Sequence, residues 1–252
     1  MKLQVGPELT LAFGLLFARA AGVTLGLPAM LGVGLPIRLR VLLAALLAGA
    51  LMSRASVTLP VAAGVLPIVL LVIRELGVGV MLSFAAALVF GAAIMAGDLI
   101  GAGMELNTGG LLRVTTQIPN VAADAFGTLA ELLFFIGGFH RTLLIALARS
   151  VDVAPLGQLT LPPPSALIRL GGRLFVLALG LGLPLLIPLF VLALAQGAIA
   201  RLAPQVNILV AAPAAIVLAG LFLLTLDAAG LTAGITRVWS SVMAEALGWL
   251  NG

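Results

Sequence analysis

Few residues in this chain could do chemistry. Asp98, Glu105 and Glu131 are carboxylates in or beside long apolar stretches, His140 is the single histidine and precedes Arg141, and Pro204, Gln205 and Asn207 form a polar cluster between two apolar runs. An ionisable group in such surroundings is a functional candidate by default. Two readings stand side by side: the carboxylates handle protons or substrate, or they neutralise buried charge by pairing with Arg19, Arg113 or Arg141, because buried ions need partners. For His140 the alternatives are a proton relay and a ring satisfied by a neighbouring carbonyl. The Pro204, Gln205, Asn207 cluster reads as a hairpin turn capped by side-chain amides or as a ring of hydrogen bonds between subunits. Met104 reads as a soft seal around a channel or as a filler of gaps. The chain has no cysteine and one histidine, which closes off thiolate and multi-histidine metal sites and any cysteine nucleophile. With no nucleophile and base pair and no phosphate-binding glycine loop, the sequence points to no enzyme, no cofactor and no metal.

The elements that must position these residues are apolar. Hydrophobic residues make up 62% of the 252 and charged ones 9%, against roughly 45–50% and about 25% in an ordinary soluble domain. Thirteen basic and nine acidic residues cannot coat a water-soluble surface of this size. The chain therefore belongs in lipid or inside other protein. The net charge of +4 is spread singly rather than gathered on one face, so nucleic acid is not expected as a partner. Lys2 is the one lysine; the other basic residues are Arg, whose fork suits carboxylates and carbonyls held between packed helices.

Apolar stretches of helical length run over 9–34, 41–73, 77–104, 126–148, 174–200 and 206–226. A bilayer span needs about 20 such residues. The second stretch carries Ser53 and Arg54 and divides into helices over 41–53 and 58–73. A mixed segment over 228–250 fits an amphipathic helix. Lys2, the run from Leu9 to Phe17 and Ala18, Arg19, Ala20 imitate a signal peptide, but Glu8 and the apolar continuation to Gly34 predict retention. Arg in almost every gap leaves the positive-inside rule without a clear orientation. Gly22 with Gly26, Gly97 with Gly101, and Gly230 with Gly234 are small-residue pairs suited to close backbone contact. Pro184, Pro188 and Pro213 should kink their helices.

Two stretches are irregular. Ala154 to Ser165 carries three consecutive prolines and marks a linker, 154–165, between an N-terminal part, 1–153, and a C-terminal part, 166–252. Gly101 to Asn120 follows directly on an apolar helix and mixes glycine with polar residues. Non-helical backbone at membrane depth survives only where protein or a water-filled cavity satisfies its amides, so this is a candidate pore or cavity loop.

Four passages resemble the R-type flagellar export-gate family, the FliR proteins, and its injectisome counterparts in type III secretion. They are Arg19 followed by Pro28, Pro36, Arg38 and Arg40; Gly97 to Met104 leading to Gln117, Ile118 and Pro119; Phe134 to Gly157, FFIGGFHRTLLIALARSVDVAPLG; and APQVNI from Ala203, followed by Pro213. Two departures stand out. Ala102, Gly103, Met104 and Glu105 occupy a place where the family usually has leucine, glutamine, methionine and glycine, and Phe139 precedes His140 where a second histidine is common.

The resemblance implies an all-α, multi-pass protein of the bacterial inner membrane and flagellar basal body, built of helical hairpins. Its N-terminal part would be like the P-type gate subunit and its C-terminal hairpin and amphipathic helix like the Q-type. It implies assembly with P-type and Q-type subunits into a helical export gate, contact with the A and B export-gate membrane proteins and with lipid, and passage of unfolded flagellar proteins. Carried onto this chain, the channel plug is Gly101 to Pro119, with Gly101, Gly103, Met104, Glu105, Asn107, Gly109, Gly110, Arg113, Gln117 and Pro119 as its gating residues. An injectisome gate subunit is the alternative within the family. A proton-coupled transporter using Asp98, Glu105 or Glu131 is the alternative outside it.

Overall fold

The computed structural model describes residues 7–31, 34–54, 65–106, 120–158, 164–202 and 208–250. Among these the chain is all helical, with no strand. The helices are α1 (Pro7–Leu31), α2 (Ile37–Leu51), α3 (Val65–Gly103), α4 (Val121–Ile136), α5 (Phe139–Val153), α6 (Pro164–Leu202), α7 (Ile208–Leu226) and α8 (Ala228–Leu250), with a 3-10 turn at Met52–Arg54 after α2. Three are long and apolar enough to cross a membrane, over Leu9–Leu27, Val65–Gly103 and Gly171–Leu202, and the number rises to five if two broken pairs each count as one span.

Two sequence expectations are corrected. The stretches 58–73 and 77–104 do not form separate helices: α3 runs unbroken for 39 residues from Val65 through Arg74, Glu75 and Gly77 to Gly103. The charges do not interrupt it, because both are buried and satisfied by tertiary partners. Conversely, 126–148 is not one helix. It breaks at Gly137 and Gly138, where Gly138 holds a left-handed φ of 72° that a helix cannot continue through. Pro184 and Pro188 lie inside α6, which remains helical through both.

The chain gathers into two compact units, each made of discontinuous pieces. The first comprises 1–88, 138–171 and 239–252. Here α1 and α3 cross with glycine against glycine. A Cβ on Gly22 would strike the Leu76 carbonyl and one on Gly79 the Arg19 carbonyl. Ser83 Oγ donates to Gly22 O at 3.1 Å beside this crossing. Ala44 and Ala48 bury the small face of α2, and α1 packs on that helix. Trp239 of α8 stacks on Phe139 of α5, with ring centroids 4.8 Å apart.

The second unit comprises 89–137 and 172–238. Its helices also approach through glycine. Gly97 of α3 lies against Ala122 and Ala123 of α4, Gly182 of α6 faces Ala96 and Leu186, and Gly220 of α7 receives the Met104 side chain. Phe90 and Phe134 meet edge to face at 5.7 Å. Gln196 Nε2 donates to Ala212 O at 3.2 Å, tying α6 to α7.

Candidate functional site

In the second unit, α3 ends at the start of the segment singled out from sequence. The Leu106 amide donates to Gly101 O at 3.0 Å and the Glu105 amide to Ala102 O at 3.1 Å. These are the two bonds of a Schellman cap, which satisfies carbonyls that a helix end otherwise strands. The motif requires a left-handed residue, and that residue is Glu105, at φ 57°, the one non-glycine with positive φ among the described residues. Holding an L-residue there costs about 1–2 kcal/mol relative to the right-handed region. Neighbouring packing sustains it. Met104 is buried against Gly220, and Gly101 presents its bare Cα to the Asn120 side chain.

Asn120 closes the other end of the segment. Its Oδ1 accepts from the Ala122 and Ala123 amides, at 3.1 and 3.5 Å, and so caps α4. Its Nδ2 donates to Asp98 Oδ1 at 2.8 Å. The chain therefore leaves α3 at Leu106 and re-enters α4 at Asn120 from one anchored spot formed by Asp98, Gly101 and Asn120. Beside it, a groove of about 540 Å³ runs along α6, lined by Gly103, Glu105, Leu183, Ile187, Phe190 and Ala193.

The remaining candidates are scattered. Asp98 is exposed, Glu131 is half-buried on α4, and His140 and Arg141 are exposed in the first turn of α5. Asn107, Gly109, Gly110, Arg113, Gln117 and Pro119 lie outside the described residues, as do Pro204, Gln205 and Asn207. Among the described residues no three His, Asp or Glu side chains group as metal ligands.

Arg19 has partners that the sequence did not single out. In the first unit its guanidinium meets Glu75 at 2.5 Å, and both side chains are fully buried. Its Nη1 donates to Ser150 O at 2.7 Å and Ser150 Oγ at 3.2 Å, and its Nη2 to Ala154 O at 2.8 Å. Arg74 Nη1 reaches the other Glu75 oxygen at 2.5 Å and Pro155 O at 3.1 Å. Two guanidiniums thus share one carboxylate, and their surplus positive charge lies at the C-terminal end of α5, where the stranded carbonyls and the helix dipole favour a cation. The readable signal was the adjacent Arg74 and Glu75 inside an apolar run, since charges in such a run must find partners.

The model of the bacterial export proteins, family 1, matches residues 10–242. The chain belongs to that family. It is 35% identical to a flagellar biosynthetic protein FliR from Pectobacterium carotovorum over 144 residues, 56% of this chain and 55% of the relative. It is 32% identical to the flagellar biosynthetic protein FliR of Escherichia coli over 143 residues, again 56% of this chain and 55% of the relative. The matching part of the chain thus spans about half the length of either relative.

Proposed function

We propose that this chain is a non-enzymatic structural and gating subunit of the flagellar type III protein-export channel, with Gly101 to Pro119 as the plug of the closed channel. The observation that carries this reading is the double anchor. The described residues on either side of 107–119 are held at one spot, by the cap at Glu105 and Leu106 and by the Asn120 clamp on Asp98. A plug needs that geometry, because the element that obstructs must be displaceable while its base stays in place. The names of the relatives favour a flagellar over an injectisome system.

The partners in this reading are P-type and Q-type gate subunits, the A and B membrane proteins, lipid of the inner membrane and unfolded flagellar substrates. The exposed apolar side chains of α6 and α7, among them Phe175, Ile187, Phe190, Leu218 and Phe222, support contact with lipid or sibling subunits. The division into a P-type-like part, 1–153, and a Q-type-like part, 166–252, is supported by the end of α5 at Val153 and the start of α6 at Pro164.

The test should spare the anchors. Replacing 107–117 with a Gly-Ser linker of equal length keeps Met104, Glu105, Leu106 and Asn120. The variant should co-purify with the P-type and Q-type subunits and leave cells leaky to small solutes. Unchanged permeability with an assembled gate would sink the plug assignment, and failure of the unaltered chain to co-purify would sink the subunit assignment.

A further inference from the structure

We propose that the two prolines inside α6 create a hydrogen-bond site between subunits, at which Gly180 O and Pro184 O accept from a hydroxyl or amide side chain on a helix of a different subunit. The site rests on the reading of the chain as an export-gate subunit, and it fixes the face and the chemistry that a neighbour must meet.

A helix carbonyl ordinarily accepts from the N–H four residues on. Positions 184 and 188 are proline, so Gly180 O and Pro184 O lack that donor. Both residues are exposed, and among the described residues no hydrogen bond from another element reaches either carbonyl. Between Leu174 and Ala200 the one polar side chain is Gln196, and it donates to Ala212 O of α7. Water would hydrate such carbonyls, but α6 has the highest mean hydropathy of the three span-length helices. In hydrocarbon an unmet backbone group is costly, and acyl chains have no donor to offer. Proline is tolerated inside a span where a neighbouring helix supplies the missing partner.

The face around these carbonyls has room for that helix. From Gly180 through Leu183, Ile187, Phe190 and Leu194 to Gly197 the steps alternate between three and four residues, the repeat that keeps one seam facing a partner crossed at about 20°. The four large side chains are each at least 44% exposed, and a Cβ on Gly180 or Gly197 would meet nothing within 4 Å. Glycine lets a second backbone come close enough for a short side chain to reach the carbonyls. The apolar stripe alone would suit lipid as well as protein; the stranded carbonyls within it do not. One turn beyond Gly197 stands the exposed Arg201. A second copy of α6 could not neutralise it, since α6 has no acidic residue, and brings no hydroxyl to the level of the prolines. The occupant is therefore a different chain, with Ser, Thr, Asn or Gln near the middle of an apolar helix and a carboxylate about 30 Å away, level with Arg201.

The experiment reads the carbonyl directly. Labelling with 1-13C-proline and 15N-leucine marks three Pro–Leu pairs, at Pro155, Pro184 and Pro188. Pro155 O accepts from Arg74 within the chain, and Pro188 O has the N–H of Leu192 four residues on, so both serve as internal standards. Carbonyl 13C spectra are compared for the full chain alone in lipid nanodiscs and in the assembled gate, with Pro184→Ala identifying its own line. The Pro184 line should move downfield on assembly while the other two stay. A Pro184 line that does not move in an assembled gate overturns the site, because lipid, water or α6 itself then serves the carbonyl equally in both states. Gly180→Leu enters open space in the lone chain, so it should leave the melting temperature of that chain undiminished and cut the recovery of partner subunits about tenfold. Undiminished recovery in that variant likewise overturns the site. Failure of the unaltered chain to co-purify with any gate subunit would instead remove the subunit reading itself.

Discussion

At the scale of single residues, the cluster of Arg19, Arg74 and Glu75 shows how charge survives in an apolar chain. Its carboxylate is shared by two guanidiniums, and the remaining donors close the carbonyls of Ser150, Ala154 and Pro155. Glu75→Gln leaves two buried cations facing each other. That substitution should destabilise the protein by about 3–5 kcal/mol, the usual loss when one partner of a buried pair is removed. A lowered melting temperature of the detergent-purified protein would register it. Exchanging the charges, with Arg19→Glu and Glu75→Arg together, should not restore the melting temperature, because a carboxylate at position 19 cannot donate to Ser150 O and Ala154 O. Full recovery in the exchanged variant would show that the carbonyl contacts contribute nothing.

At the scale of elements, glycine decides how close the helices come. Gly77 and Gly79 lie two residues apart on α3 and face different surroundings: a Cβ on Gly77 meets nothing within 4 Å, while one on Gly79 collides with the Arg19 carbonyl of α1. Gly77→Ala should therefore stabilise the helix by up to about 1 kcal/mol, through helix propensity alone. Gly79→Ala should destabilise by about 1–3 kcal/mol, because the backbones must move apart. Thermal melts of the two variants should move in opposite directions. A shared direction would mean that the crossing does not depend on close approach at Gly79. The Gly22 and Gly97 motifs were legible in the sequence as small-residue pairs, but their partners were not. Gly79, one turn before Ser83, stands outside the glycine pairs and became visible only with α1 laid across it.

At the scale of the whole molecule, burial is uneven. In the span-length window of α3, 67% of residues are buried, against 28% in that of α6. The helix of higher mean hydropathy is thus the less covered one. A lone chain leaves that surface for lipid or protein to cover. Because the chain lacks cysteine, a single introduced thiol reports on one site. Phe190→Cys should react with a maleimide in the isolated chain in detergent and become at least about tenfold slower in the assembled gate, as burial at an interface core requires. Leu82→Cys, at a fully buried position, should stay unreactive in both. Equal reactivity of residue 190 in the two states would leave that face of α6 outside any subunit contact.

The sequence by itself determined the material of the molecule. Composition required helices in apolar surroundings, the run lengths located most of them, the mixture of Arg237, Ser240, Ser241 and Glu245 with Val238, Trp239, Met243 and Leu247 marked α8 as amphipathic, and four passages pointed to the export family. Where the chain breaks was less legible. Arg74 and Glu75 looked like an interruption and are not one, because partners distant in sequence satisfy them. Gly137 and Gly138 fall inside the apolar stretch 126–148 and are a break, because Gly138 takes a left-handed φ. Which charges pair, which glycines touch, and that residue 105 must be left-handed were decided only by tertiary structure. Each depends on a carbonyl, a guanidinium or a side chain brought from elsewhere in the sequence, and no local pattern records what will be brought.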